Sequence, residues 1–222
     1  MRCRFWFVLT LGASLLLAGC GGSQSAAPTG VIVTPQSAQP QVAGSPVPIQ
    51  ASSGKIGAAE RAAAESPQDV EAQFQLGNAY AEAGRYPEAE QAYSRALELD
   101  PEHVDAGSNL GVIYYKQGRL ADAETLFRKV LANQPDDAEI RYNLGGALAA
   151  QHKLDEAVAE FKKASEAQPD LAQPYLGLGT VYQAQGKKAE AIQALQKYVE
   201  LSDDPTWREQ AKQMLRELGV EP

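Results

Sequence analysis

The chain has 222 residues, of which 44% are hydrophobic and only 7% aromatic, and its formal net charge is −8. An acidic chain without clustered Lys and Arg argues against a nucleic-acid partner, since phosphates are bound by basic side chains. Both cysteines, Cys3 and Cys20, lie at the N-terminus, so the rest of the chain offers no disulfide, thiol nucleophile or thiolate metal site.

The first twenty residues have the features of an export signal. Arg2 and Arg4 are followed by an uncharged, largely apolar run from Phe5 to Ala18, shorter than the roughly 20 residues of a transmembrane helix. The run ends in Leu-Ala-Gly-Cys, which resembles a bacterial lipobox. The resemblance implies that residues 1–19 are a lipoprotein signal peptide and that Cys20 becomes a lipidated N-terminus. An ordinary cleaved signal with an unrelated cysteine is the alternative.

Lipidation would anchor the protein to a membrane. Several acyl chains, palmitate among them, give stable anchoring because each buried CH₂ contributes about 0.8 kcal/mol. Gly21 rather than Asp follows the cysteine. By resemblance to Gram-negative lipoproteins, this implies the periplasmic side of the outer membrane. In another cell type the expected location is the extracytoplasmic face of the cell membrane.

Residues 20–54 are predicted to be a flexible tether. Gly, Ser, Ala, Pro and Gln dominate this segment, which carries no charged residue and no hydrophobic periodicity. Such a composition buries too little apolar surface to order itself.

A 34-residue period organises the rest of the chain. Leu-Gly pairs recur with their glycines at Gly77, Gly111, Gly145 and Gly179. Each glycine is followed at fixed distances by a Tyr or Leu, an Ala, an aromatic or Leu residue and, in three of the four cases, a Pro. This pattern resembles the tetratricopeptide repeat.

The resemblance implies an all-α fold, an α-solenoid of four repeats that each contain two antiparallel helices. The repeats are predicted at 70–103, 104–137, 138–171 and 172–205. Residues 55–69 are predicted to form an N-terminal half-repeat helix, and residues 206–222 contain a C-terminal capping helix, with Asp204 as its N-cap.

Three sequence features give expectations about packing. The glycine of each Leu-Gly pair is expected to let the two helices of a repeat approach closely. Gly84, Gly118 and Gly186 occupy the turn between them, where His152 is expected to adopt the same left-handed conformation. Val130 and Tyr198 replace a small residue late in the second helix, and the first helices nearby are expected to shift to make room.

In proteins of this family the first helices line a concave groove, so the resemblance identifies candidate binding residues. Asn109 and Asn143 occupy the same place in consecutive repeats, where carboxamides can pair with the backbone of an extended peptide. Hydrogen bonds to neighbouring helices are the alternative. The complete set of candidate contact residues is Phe74, Asn78, Asn109, Val112, Tyr115, Tyr142, Asn143 and Leu176. Acidic residues at Glu71, Glu82, Asp105 and Glu139 favour a basic or neutral partner segment.

The sequence contains no catalytic motif, and neither a cofactor nor a metal site is expected. His103 and His152 have no carboxylate or thiol at useful spacing, and the motifs HExxH, CxxC, GxSxG and GxxxxGK are absent. The leading hypothesis is a non-enzymatic, membrane-tethered adaptor of the cell envelope that binds a protein or peptide partner. The alternatives are a homo-oligomeric or spacer lipoprotein and an accessory subunit, such as a pilotin or an assembly factor. The sequence leaves the oligomeric state open.

Overall fold

The computed structural model describes residues 49–221, with side chains from residue 54 onward. The predicted signal peptide, the predicted lipidation site Cys20 and most of the predicted tether lie outside the described residues. Within them the secondary structure is entirely helical, which confirms the all-α prediction. The helices are α1 (Ile49–Glu65), α2 (Val70–Glu82), α3 (Tyr86–Leu99), α4 (Val104–Lys116), α5 (Leu120–Asn133), α6 (Ala138–Ala150), α7 (Leu154–Ala167), α8 (Gln173–Ala184), α9 (Lys188–Leu201) and α10 (Pro205–Glu217).

Helix α1 packs against α2 and begins earlier than expected, at Ile49 rather than Lys55. No proline stands between Pro48 and Pro67 to interrupt a helix in this stretch. Ile56 and Ala63 are buried against the first repeat.

The glycines of the Leu-Gly pairs set the distance between the two helices of each repeat. A Cβ atom placed on Gly77 would lie 2.5 Å from the Tyr93 ring, and one on Gly145 would lie 2.6 Å from the Phe161 ring. Gly111 faces Phe127 in the same way. The rings of Tyr93, Phe127 and Phe161 are almost completely buried. The predicted close approach is therefore confirmed.

The turn between the two helices has the same backbone geometry in every repeat. Gly84, Gly118 and Gly186 have φ values of 73°, 76° and 72°, and His152 has a φ of 60°. The prediction that His152 adopts a left-handed turn conformation is confirmed. His152 is exposed and makes the same type of turn as the glycines.

The second repeat accommodates its bulky Val130 by a compensating glycine. A Cβ atom on Gly107 would lie 2.6 Å from Cγ2 of Val130, so the absence of a side chain at Gly107 makes the room. In the third repeat the corresponding place holds Arg141, whose guanidinium donates to Glu160 Oε2 at 2.7 Å. The larger Val130 side chain is therefore accommodated by the missing side chain at Gly107, and not only by the expected shift of the first helix.

Side-chain N-caps stabilise the N-termini of α2, α4 and α6, the first helices of the first three repeats. Asp69 and Asp137 accept backbone N–H groups of α2 and α6, and His103 Nδ1 accepts from Ala106 N at 3.2 Å. The predicted N-cap Asp204 is confirmed, because it accepts from the N–H groups of Thr206 and Trp207. Helix α10 then buries Ala211 and Leu215 against α9.

The first helices of the repeats also contact one another directly, α4 with α6 and α6 with α8, and so form one layer. The second helices pack between successive first helices, α5 for example against both α4 and α6. None of the helices within residues 49–221 is long and apolar enough to cross a bilayer.

Candidate binding groove

We define the groove face as the side chains of α2, α4, α6 and α8 that project away from the paired second helices. Equivalent residues in successive repeats form columns that run along the stack. The candidate asparagines belong to one column, which contains Gln75, Asn109, Asn143 and Gly177. In the fourth repeat this column approaches the aromatic ring of the preceding repeat, because a Cβ atom on Gly177 would be 2.7 Å from Phe161 Cζ.

Asn109 takes part in a hydrogen-bond network within the chain. Its Nδ2 donates to Asn78 Oδ1 at 3.0 Å, and the Tyr93 hydroxyl donates to the same oxygen at 2.7 Å. Burial raises the pKa of Tyr93, although its hydrogen bond with Asn109 acts in the opposite direction. Two of the candidate residues, Asn78 and Asn109, thus join the first two repeats to each other.

Asn143 has the same repeat position but different neighbours. The places that hold Asn78 and Tyr93 one repeat earlier are here Val112 and Phe127, which have no polar group. The side chain of Asn143 is half-buried and has no hydrogen-bond partner among the described residues. Its carboxamide therefore keeps both its donor and its acceptor capacity.

Three of the candidate apolar residues are engaged in packing. Val112 and Leu176 are only 7% and 9% exposed, and they belong to the hydrophobic clusters that join neighbouring repeats. Phe74 lies against the His103 ring with a centroid distance of 4.9 Å and a tilt of 40°. These three side chains therefore support the groove by packing and expose little surface to a partner.

Tyr115 and Tyr142 form the aromatic part of the groove face. The Tyr142 ring packs on Phe161 at a centroid distance of 5.8 Å. Burial raises the pKa of both phenols, and the electrostatic influence of Tyr115 and Tyr198 adds to the effect on Tyr142. The sequence spacing gave no indication of the influence of Tyr198.

One turn beyond Tyr142 the groove face is open at Gly146. A Cβ atom on Gly146 would meet no heavy atom within 4 Å, and the next groove positions on α6 are Ala149 and Ala150. Asn143, Tyr142 and Gly146 thus place an amide, a phenol and an open space side by side.

Three sequence profiles of the tetratricopeptide repeat match the chain, over residues 56–104, 81–145 and 136–204. Residues 56–204 belong to the tetratricopeptide repeat family. Proteins built from tetratricopeptide repeats generally act as non-enzymatic scaffolds that bind protein or peptide partners. No curated protein matches the sequence of the chain.

Solved structures of other tetratricopeptide repeat proteins resemble this one. MamA from Desulfovibrio magneticus RS-1 is 24% identical with a TM-score of 0.64, covering 69% of this chain and 88% of its own. YrrB, described as a TPR protein with an unusual peptide-binding site, is 23% identical with a TM-score of 0.62 (74% and 85% covered). TTC0263 from Thermus thermophilus is 23% identical with a TM-score of 0.61 (68% and 84% covered). At these identities the likeness establishes the fold.

Charge is distributed unevenly over the tetratricopeptide repeats. On the groove face Glu71, Asp105 and Glu139 are exposed and occupy one column. None of these three carboxylates joins an ion pair within the described part of the chain, whereas Glu82 pairs with Lys55 at 3.1 Å. The groove face therefore carries a row of negative charge near the N-terminal ends of α2, α4 and α6.

Basic residues are held instead near the turns between the two helices of each repeat. Arg119 pairs with Glu90 at 2.7 Å, and Lys153 pairs with Glu124 at 2.8 Å, each across a repeat boundary. Burial opposes ionisation of Glu124, but hydrogen bonds from Lys153, Gln151 and Arg128 outweigh it and lower the pKa of Glu124 from its ordinary 4.5 to about 2. This carboxylate is a structural element of the boundary between the second and third tetratricopeptide repeats.

Within residues 49–221, no group of three or more His, Cys, Asp or Glu side chains is arranged to hold a metal ion. The His103 ring caps α4 by accepting a backbone N–H, and His152 forms the left-handed turn between α6 and α7.

Proposed function

We propose that this protein is a membrane-anchored, non-enzymatic scaffold of the cell envelope that binds a segment of a partner protein along its groove face. The observation that carries the proposal is the set of groove side chains that the fold does not use. Asn143 retains free hydrogen-bonding capacity, and the Tyr142 hydroxyl makes no hydrogen bond within the described residues. Helix packing explains the glycines and buried rings, but it does not require these polar groups.

Similar structures support the binding function. YrrB is described as a tetratricopeptide repeat protein with a peptide-binding site, and it shares the fold of this chain. Aromatic side chains such as Tyr115 and Tyr142 contribute strongly to protein interfaces, because they bury a large area at low entropic cost.

Photo-crosslinking in cells tests the site. A photoreactive amino acid replaces Asn143 or Tyr115 in the groove, and the exposed Glu190 on α9 provides the matched position in the other helix layer. We expect crosslinks to a partner from the groove positions and none from position 190. Crosslinks from position 190 alone would contradict the proposal.

The anchor is supported by the Leu-Ala-Gly-Cys sequence that ends at Cys20 and by the uncharged segment that follows it. We expect the wild-type protein in the membrane fraction and the Cys20→Ala variant in the soluble fraction after cell lysis. A Cys20→Ala variant that remains in the membrane fraction would contradict lipid anchoring, while the groove proposal would stand.

A homo-oligomeric or spacer lipoprotein is the second candidate. Light scattering coupled to size exclusion distinguishes the two, because a concentration-dependent dimer favours the spacer and a monomer favours the scaffold.

A further inference from the structure

The charge of the groove face indicates what kind of partner it accepts, and this inference rests on the groove proposed above. The column Glu71, Asp105 and Glu139 supplies one exposed carboxylate in each of three consecutive repeats. Glu71 accepts a hydrogen bond from the neutral amide of Gln75 at 2.6 Å, and none of the three carboxylates has a basic partner among the described residues. Like charges in a row raise the local negative potential and attract cations.

The basic residues that could neutralise this row are engaged elsewhere. Lys116, near the end of α4 on the groove face, has its Nζ 5.4 Å from the centroid of the Tyr86 ring. Arg141, near the start of α6, is bonded to Glu160, at 2.7 Å, and to the carbonyl oxygen of Pro135. The described part of the chain thus leaves the carboxylate row available to an external cation.

A second, independent feature lies beside the row. The Tyr142 ring packs on Phe161 and is half-buried, and its hydroxyl has no hydrogen-bond partner in the described part of the chain. The open space over Gly146 adjoins it on the same helix face. A side chain inserted there would contact the Tyr142 ring, and the Asn143 amide would pair with its backbone.

The tether does not supply a complementary occupant. Residues 21–54 contain no Lys or Arg, so the tether has no charge to pair with the row. A second copy of the chain carries a net charge of −8, so its net charge does not favour it as the occupant.

We propose that the groove binds a basic segment of a partner protein. Lys or Arg side chains of that segment pair with Glu71, Asp105 and Glu139, and an apolar side chain of the same segment lies over Gly146 beside Tyr142, two turns along α6 from Glu139. The carboxylate row sets charge selectivity and speeds association, and the open surface beside the Tyr142 ring provides the apolar contact.

A random dodecapeptide phage library selected on the full chain tests the proposal. We expect the enriched peptides to contain Lys or Arg together with an apolar residue. A labelled synthetic copy of the most enriched peptide is then titrated into the variants by fluorescence anisotropy. The triple variant Glu71→Gln, Asp105→Asn, Glu139→Gln should bind roughly tenfold more weakly, since each exposed pair contributes up to about 1 kcal/mol.

The controls separate charge at the groove from charge in general. The triple variant Glu65→Gln, Glu166→Gln, Glu190→Gln removes the same formal charge from exposed positions on α1, α7 and α9 and should bind normally. Gly146→Leu should abolish binding, because it places a large side chain on the open part of the groove face beside Tyr142. Gly57→Leu, at a helical glycine with equally open surroundings on α1, should not. Added salt should weaken binding to the wild type.

The outcomes distinguish this inference from the proposed function. Acidic or neutral enriched peptides whose binding is lost in Gly146→Leu would overturn the basic partner and leave the groove as the binding site. No enrichment, or binding that Gly146→Leu leaves unchanged, would overturn both.

Discussion

The second and third repeats contain the same asparagine at the same position, and the two side chains have different roles. Asn109 is bonded to Asn78, next to the Tyr93 hydroxyl, and helps to hold the first two repeats together. At Asn143 the equivalent places are held by the apolar Val112 and Phe127, and Asn143 has no such bond within the described residues. A side chain's role in a repeat array is therefore set by the repeat before it as much as by its own.

The same comparison explains where the groove can bind. The N-terminal part of the groove face uses its amides for internal hydrogen bonds. The central part, around Tyr142, Asn143 and Gly146, has apolar support beneath it and leaves its polar groups free. A Phe in place of the buried Tyr thus leaves the amide of the next repeat without an internal hydrogen bond, and the proposed binding site lies there.

The largest predicted effect concerns the two glycine environments. Gly111→Ala places a Cβ 2.6 Å from the buried Phe127 ring and should lower the free energy of unfolding by about 2 kcal/mol. Gly146→Ala, which meets no atom within 4 Å, should raise it by about 0.5–1 kcal/mol, because alanine favours the helix. Urea denaturation followed by circular dichroism measures both. Equal effects of the two substitutions would contradict the assignment of Gly146 to an open space.

A somewhat smaller effect is expected at the boundary between the second and third repeats. Glu124→Gln should lower the free energy of unfolding by about 1–2 kcal/mol at neutral pH, because it removes the negative charge that pairs with Lys153 and Arg128. The Glu124 pKa is lowered by folding, so its contribution is complete above pH 4.5 and disappears as the pH falls through about 2.

Unfolding of the wild type and of Glu124→Gln across this pH range checks the prediction. Glu156→Gln is the control, since Glu156 pairs with the same Arg128 but is 56% exposed and should have little effect. A difference between wild type and Glu124→Gln that persists below pH 2 would be inconsistent with an ionic role.

The hydrogen-bond network of the first two repeats can be removed and transplanted. Tyr93→Phe deletes the donor to Asn78 and should cost about 1 kcal/mol. Phe127→Tyr alone should be destabilising, because its hydroxyl meets the apolar Val112, and adding Val112→Asn should recover about 1 kcal/mol. A double-mutant cycle at positions 112 and 127 measures this coupling. Additive effects would show that the Asn78 and Tyr93 arrangement does not transfer between repeats.

The smallest expected effect lies in the turn of the third repeat. His152→Gly should raise the free energy of unfolding by about 0.5 kcal/mol, because glycine has no Cβ to strain at a φ of 60°. Gly118→Ala, the reciprocal change in the second repeat, should lower it by about 1 kcal/mol. Thermal unfolding followed by circular dichroism compares the two. A destabilised His152→Gly variant would indicate a contact of the His152 ring that offsets the backbone strain.

The sequence by itself determined the repeat architecture. Glycine, aromatic residue and proline recur with a fixed period because close helix approach, core filling and turn geometry each restrict the residue type locally. For the same reason the left-handed turn at His152 and the N-cap at Asp204 were predictable.

Only the tertiary structure decided which groove residues are available. Whether Asn109 is bonded and Asn143 is free depends on residues of the preceding repeat, such as Asn78, 31 positions from Asn109, which the fold brings beside them. Gly107 making room for Val130 is likewise a contact between different helices. Spacing along one helix cannot report these contacts, because they depend on the size and polarity of two side chains at once.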